Sequence, residues 1–155
     1  MKPIGDPWSR NKHIPTTDII LTHMVIDQKI LDSLTEKAKA SPRLRANYDL
    51  RNSAEDRSQR MMNAVEPGTI VLVHRHRESS ETVVCLRGRL RELLYDEDGN
   101  NIEKIIELYP GGDICALNIP AGQWHSIEVM ESGTVILESK DGPYAPLAAE
   151  DVKSY

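Results

Sequence analysis

Two histidines and a glutamate lie in the middle of the chain at a spacing suited to metal binding. His74 and His76 alternate along a strand-like run, so both imidazoles should point to the same face. After a polar corner the chain returns as a second strand-like run beginning at Glu81, and antiparallel pairing would bring this carboxylate beside the imidazoles. Imidazole nitrogen with carboxylate oxygen suits Fe, Mn, Zn, Ni or Co. These residues therefore predict a divalent-metal site.

A third histidine and a competing carboxylate complete the set of candidate ligands. Pro120 and Gly122 form a turn that leads into an apolar run, so His125 stands at the start of another strand. Glu78 competes with Glu81, because its parity also matches the histidines, although it falls in the polar corner. Three histidines and one carboxylate leave coordination positions open on a five- or six-coordinate metal, as a catalytic site requires.

One amphipathic helix is predicted before these strands. Apolar residues recur at helical spacing over residues 27–39, Asp27 is suited to cap the first turn, and Pro42 follows the end. Residues 43–60 are rich in charged and short polar side chains, which predicts an irregular connection or a short strand over residues 46–50. The segment before the helix contains several prolines and little periodicity, and it predicts an extended arm.

Short strands separated by turns are predicted from Gly68 onward. Turn signals recur about every 8 to 12 residues, which is typical of a sandwich or small barrel and gives about seven strands. Residues 96–100 predict a hairpin turn, because Gly99 accepts a positive φ without strain. Cys85 and Cys115 both lie in strand-like runs and are expected to be free, buried thiols.

Composition limits the fold and the classes of function. The 155 residues suffice for one domain, in which residues 1–66 would form the N-terminal arm, helix and connection, residues 67–147 the barrel, and residues 148–155 a tail. A net charge of -5 argues against nucleic acid or an anionic membrane as the partner, so a small molecule is expected. No apolar run is long enough to span a membrane and no secretion signal is evident, so the cytoplasm is the expected location. Strands that are apolar on both faces favour a homodimer.

The spacing of the candidate ligands resembles the two sequence motifs of the cupin superfamily. The first motif runs from Gly68 to Gly88 as G-x5-H-x-H-x4-E-x6-G, and the second runs from Gly112 to His125 as G-x7-P-x-G-x-x-H. The first motif fits without a gap, whereas the second has a slightly long spacer. Val129 stands where many cupins carry Asn, but that Asn is not a metal ligand in the family.

The resemblance implies a fold and a ligand set. The fold is a mainly β cupin jelly-roll barrel, a double-stranded β-helix, accompanied by an N-terminal arm and one α-helix. The cupin spacing selects Glu81 over Glu78. The implied metal ligands are His74, His76, Glu81 and His125.

Three segments outside these motifs resemble the WbuC-type cupin metalloproteins. These segments are residues 40–47, 59–64 and 138–144, and the resemblance covers roughly residues 25–147. WbuC-type proteins are small bacterial proteins, some from O-antigen polysaccharide clusters. The resemblance implies a metal-binding barrel, a link to polysaccharide biosynthesis and a sugar-like substrate, with no defined reaction.

Two functions agree with these residues. The first is a metal-dependent enzyme, an isomerase or an oxygenase, that uses Fe, Mn, Zn or Ni on a small polar molecule. The alternative is a noncatalytic module that binds a metal or a small ligand. Lys140 and Tyr144 are the candidate catalytic residues. An anionic substrate would be bound through charge-assisted hydrogen bonds, and the candidate arginines are Arg43, Arg45, Arg60 and Arg87.

Overall fold

The structure of the protein, a computed structural model, describes residues 23–154. Within this range one α-helix precedes eight β-strands and a short 3₁₀ helix. Their bounds are α1 (Gln28–Ala40), β1 (Arg45–Asp49), β2 (Ser58–Val65), β3 (Glu81–Arg87), β4 (Leu90–Tyr95), β5 (Ile102–Leu108), β6 (Ala116–Ile119), β7 (His125–Val129), β8 (Thr134–Asp141) and the 3₁₀ helix (Ala149–Asp151). The predicted N-terminal arm lies outside the described residues as far as residue 22, and so does Tyr155.

The strands form two antiparallel sheets that enclose an apolar core. The larger sheet has the order β1-β2-β8-β3-β6, and the smaller sheet has the order β5-β4-β7. Side chains from both sheets meet between them, among them Val83, Leu90, Leu108 and Ile136. The predicted mainly β fold with one α-helix is confirmed. Among the described residues no helix has the length and apolar character needed to cross a membrane.

Helix α1 covers the outer face of the larger sheet, as its sequence pattern predicts. Asp27 caps the helix, because its Oδ1 accepts a hydrogen bond of 3.1 Å from the backbone N–H of Ile30. Leu31, Leu34 and Ala38 are buried on one helix face, in a cluster that includes side chains of β2 and β8. The helix thus leaves the opposite face of these strands to the interior between the sheets.

The larger sheet begins earlier in the chain than the sequence indicates. Strand β1 matches the predicted short strand, but β2 was not predicted, and its whole length pairs with β8. Strands of the larger sheet therefore begin before residue 67, where the predicted barrel segment starts. Strand β2 is difficult to predict from the sequence because its inward face is not apolar. Met62 and Ala64 face the helix, whereas the residue between them, Asn63, is polar and borders a cavity.

The run that carries the first two histidines is a bridging segment rather than a regular strand. Ile70 is 75% exposed and Leu72 is 41% exposed, and the structure assigns no strand between β2 and β3. His74 instead forms isolated β-bridges, one to His125 at the start of β7 and one to Val152 in the C-terminal tail. The predicted tail is therefore part of the structure that holds the histidines.

The two cysteines differ in their surroundings. Cys85 is buried in the core between the sheets and Cys115 is exposed, and both are free thiols. The prediction that both are buried is wrong for Cys115, because this residue precedes the short edge strand β6. Its carbonyl oxygen accepts a hydrogen bond of 2.9 Å from the backbone N–H of Cys85.

Candidate metal centre

Backbone hydrogen bonds bring the three predicted histidines together at one end of the barrel. The N–H of His74 donates to the carbonyl of His125 over 3.0 Å, and the N–H of His125 donates back over 2.9 Å. The carbonyl of His76 accepts from the N–H of Gly122 over 2.8 Å, which ties this histidine to the Pro/Gly turn. Each imidazole offers one ring nitrogen, and these nitrogens all lie within 4.8 Å of one another.

Two of the imidazoles are oriented as metal ligands are. Nδ1 of His74 lies 2.9 Å from the carbonyl oxygen of Leu72, and Nδ1 of His125 lies 2.9 Å from that of Gln123. A ring nitrogen at this distance from a carbonyl carries the proton, so the lone pair of each ring is on Nε2. Nε2 of His125 is buried and has no hydrogen-bond partner among the described residues. A buried lone pair that accepts no hydrogen bond fits coordination to a metal ion.

The protonation of the imidazoles also suits a metal. Burial and, to a smaller extent, the neighbouring His125 lower the pKa of His74 to about 4. Burial likewise lowers the pKa of His125. Both rings are therefore neutral at pH 7, with a lone pair free for coordination.

Glu81, the first residue of β3, places its carboxylate beside the imidazoles. Its side chain is buried, and its Oε2 lies 3.1 Å from Nε2 of His76, while Oε1 lies 3.9 Å from Nε2 of His125. Burial by itself raises the pKa of Glu81, but the hydrogen bond with His76 and the positive charge of Lys140 outweigh it and hold the pKa well below its usual range. Glu78, the competing carboxylate, is exposed. The placement therefore favours Glu81 as a ligand.

Lys140 stands among the atoms that would bind the metal. It lies directly opposite Glu81 in the pairing of β3 with β8. Its Nζ is 2.8 Å from Oε2 of Glu81 and 3.2 Å from Nε2 of His76. An ammonium group at this position neutralises the buried carboxylate in the absence of a metal. A metal ion and this ammonium group would therefore compete for the Glu81 carboxylate.

The three histidines and Glu81, here called the cluster, lie between two cavities. An outer cavity of about 740 Å³ opens beside His76 and Lys140, and an inner cavity of about 200 Å³ is bordered by His74, Glu81 and His125. A metal held by the cluster would be reached from both cavities. This arrangement allows a small molecule to approach the metal, which a closed structural site does not.

Sequence reasoning missed two glutamates on the inner cavity. Glu92 from β4 is only 1% exposed, and Glu138 from β8 accepts a hydrogen bond of 2.7 Å from Nδ2 of Asn63. Burial and the charge of Glu81 raise the pKa of Glu92, and they raise the pKa of Glu138 to about 8. Glu92 could have been found, because it occupies a position of the same parity as the buried Leu90.

The four predicted substrate-binding arginines have different surroundings. Arg45 borders the inner cavity and donates to the carbonyl of Ile70 over 2.7 Å. Arg87 instead ties the barrel to α1, with Nη1 2.6 Å from Oδ1 of Asp32. Arg60 pairs with Asp56 at 3.0 Å, and Arg43 is exposed. Contacts on the outside of the barrel therefore occupy Arg60 and Arg87, and neither cavity is bordered by them or by Arg43.

The outer cavity contains both candidate catalytic residues and a basic pair that was not predicted. Tyr144 borders this cavity and is 59% exposed, and Lys140 connects the cavity to Glu81. Arg75 and Arg77 also border the cavity, and each donates to Oδ1 of Asp151 in the C-terminal segment. This pair could not be anticipated, because the acid that binds it is far away in the sequence.

Comparison with known proteins supports the fold and assigns a family model. The model described as Domain of unknown function (DUF6016) matches residues 26–107. No curated protein matches the sequence. Among solved structures, KdgF from Halomonas sp. has a TM-score of 0.52 at 13% identity, over 68% of this chain and 84% of that chain.

Two further matches cover only part of a longer chain. The capsular polysaccharide assembling protein CapF from Staphylococcus aureus has a TM-score of 0.54 at 23% identity, over 73% of this chain and 32% of CapF. A mutant of Bacillus subtilis oxalate decarboxylase OxdC has a TM-score of 0.51 at 21% identity, over 64% of this chain and 26% of OxdC. Cupin proteins are thus the structural neighbours, and the predicted cupin jelly-roll fold is confirmed.

Replacing Lys140 with Met should strengthen metal binding. The change removes the ammonium group that would compete with a metal for the Glu81 carboxylate. A hydrogen bond to a charged group contributes about 1.5–3 kcal/mol, so we expect the affinity for Zn²⁺ to rise about 10- to 100-fold in a competition titration with a chromophoric chelator. Lys39→Met, at an exposed ion pair on α1, is the matched control. Equal or weaker affinity in Lys140→Met would contradict the competition.

The stabilising effect of Glu138→Gln should grow with pH. The ordinary pKa of 4.5 is raised to about 8 in the folded state, so the folded protein holds a proton that the unfolded chain releases between these values. The contribution of this carboxyl to stability is therefore present below pH 4.5 and is lost as the pH rises towards 8. Urea unfolding of the metal-free protein at pH 5 and pH 8 measures the difference between variant and wild type. We expect this difference to favour the variant increasingly at pH 8, and Glu55→Gln serves as an exposed control. A difference that stays constant would show that the carboxyl is not held protonated.

Proposed function

Since this chain belongs to the family described as Domain of unknown function (DUF6016) and has the cupin fold, we propose from its site that it is a divalent-metal-dependent enzyme acting on a small polar molecule. The observation that carries the proposal is the orphaned, buried Nε2 of His125. It points to a metal because Nδ1 of the same ring is hydrogen-bonded to the carbonyl oxygen of Gln123, which leaves the lone pair on Nε2. Ring nitrogens of the other two imidazoles lie within 4.8 Å.

The proposed ligand set is three imidazoles and one carboxylate. It consists of His74, His76, His125 and Glu81. Nitrogen and oxygen donors of this kind suit Fe, Mn, Zn or Ni, and the donor set alone does not select among them. Bound there, the metal would polarise a carbonyl or hydroxyl group for isomerisation or, as Fe(II), would support oxygenation.

Two side chains of the protein are placed to move protons next to this centre. Lys140 lies beside Glu81 and borders the outer cavity, so once a metal replaces it on the carboxylate its ammonium group can exchange a proton with a molecule in that cavity. Tyr144 borders the same cavity from the segment after β8. We propose Lys140 as the nearer proton-transfer group and Tyr144 as a contact to the substrate.

Several finer predictions have less support. A sugar-like substrate and a link to polysaccharide biosynthesis follow from the WbuC-type resemblance, which stays a prediction. CapF is a capsular polysaccharide assembling protein by name, but at 23% identity its likeness extends to the fold. The homodimer and the cytoplasmic location also stay predictions.

The enzyme and the binding module differ in what they do to small molecules. The protein would be loaded in turn with Fe²⁺, Mn²⁺, Zn²⁺ and Ni²⁺ and incubated with a cell extract of small polar metabolites, which is then followed by mass spectrometry. We expect at least one compound to be consumed and one product to appear with the loaded wild type. His125→Ala should lose both turnover and bound metal, because it removes a ligand, whereas His23→Ala, at an exposed position outside the cluster, should keep both.

Lys140→Met separates catalysis from metal binding. As an enzyme, this variant would retain the metal and lose turnover. If the loaded wild type binds metal but no metal yields a product, the enzyme proposal fails and the noncatalytic module is the correct function.

A further inference from the structure

The inner cavity is lined by carboxyl groups from strands of both sheets. Glu81 comes from β3, Glu138 from β8 and Glu92 from β4, and all three border the same space of about 200 Å³. Asn63 on β2 adds an amide that donates to Glu138. A polar cavity built from four strands of a barrel is unusual, and it contrasts with the apolar core cluster between the two sheets.

Glu92 is the strongest sign that this cavity binds something. Its side chain is 1% exposed, and within the described part of the chain neither carboxyl oxygen has a hydrogen-bond partner. Burying a carboxyl without partners costs free energy, so such groups are almost always completed by protein, water or a ligand. An uncompensated group facing a cavity fits a molecule that supplies the missing hydrogen bonds.

The electrostatics of the cavity disfavour an anion. Burial, with a smaller effect of the neighbouring Glu81, raises the pKa of Glu92 and raises the pKa of Glu138 to about 8, which favours the uncharged form of both carboxyls. Each protonated carboxyl donates one hydrogen bond and accepts others. Among the described residues Arg45 is the one guanidinium on the cavity wall, and the carbonyl of Ile70 already accepts from it. Paired donors and acceptors without net charge match hydroxyl groups.

The remaining wall and the size restrict the ligand further. Val65, Val71, Ile127 and Ile136 supply an apolar side to the cavity, which suits the carbon backbone of the ligand. At roughly 30 Å³ for each water molecule the space holds about seven of them. This is the size of a short polyol and is too small for a nucleotide.

We propose that the inner cavity binds a small uncharged polyhydroxy molecule, or the polyhydroxy end of a larger one, with Glu92, Glu138 and Asn63 as its hydrogen-bonding partners. The inference deepens the proposed function, because the cavity adjoins the proposed metal ligands. Any reaction of the bound molecule rests on the proposed function. The binding itself depends on residues that are not proposed ligands, so it can be tested without a metal.

The test compares erythritol with tartrate, which has the same four-carbon backbone but two negative charges. Binding to the full chain, treated with a chelator, is measured by calorimetric titration and by the shift in Tm at equal ionic strength. We expect erythritol to bind and tartrate to bind at least tenfold more weakly. Glu92→Leu should weaken erythritol binding at least tenfold, whereas Glu92→Gln, which keeps a donor and an acceptor, should retain most of it. Glu103→Leu, an exposed glutamate on β5, controls for nonspecific polyol effects.

Each outcome decides the proposal. Tartrate binding as tightly as erythritol, erythritol binding unchanged in Glu92→Leu, or no erythritol binding to the wild type would overturn it. If Glu92→Leu does not fold, Asn63→Leu takes its place with the same expected loss. Metal content is measured separately on the same proteins. A protein that binds metal but no polyol refutes the cavity assignment alone, and one that binds erythritol but no metal refutes the metalloenzyme alone.

Discussion

The buried negative charge of Glu81 is the interaction around which the polar end of this barrel is organised. A carboxylate that is 5% exposed must be neutralised, and the protein places Lys140 at 2.8 Å and His76 at 3.1 Å from it. Burial and, to a smaller extent, the same charge favour the protonated forms of Glu92 and Glu138 on the inner cavity. A divalent cation among the imidazoles would neutralise Glu81 more completely than the single charge of Lys140 does.

The fold supplies this environment by changing the character of the inward face along each strand. On β3 the inward residues run from Cys85 and Val83 in the core to Glu81 at the site, and on β8 they run from Ile136 to Glu138. One end of the barrel is therefore packed and the other is polar, on the same strands. Because α1 covers the outer face of the larger sheet, the rigid strands fix the site while the bridging segment and the tail close it.

The features that could be predicted from the sequence are those with local signals. Asp27 and the apolar spacing after it define α1, and the spacing of the histidines with the Pro/Gly turn defines the cluster. What could not be predicted depends on distant partners. Strand β2 is recognisable only when the helix on one face and the cavity on the other are known, and the bridge from His74 to Val152 joins segments far apart in the chain. The sequence could not separate Arg45, which borders the inner cavity, from Arg60 and Arg87, because spacing alone does not identify the acids that pair with these two.

The metal content of the untagged protein, purified without added metal, tests the central claim most directly. Elemental mass spectrometry of the wild type and of His76→Ala measures it, since His76 contacts Glu81 and faces the outer cavity. The claim predicts close to one equivalent of Fe, Mn, Zn or Ni in the wild type and its loss in the variant. If neither protein contains metal, even after incubation with each ion, the cluster is held by Lys140 and Glu81 alone and the protein is not a metalloenzyme.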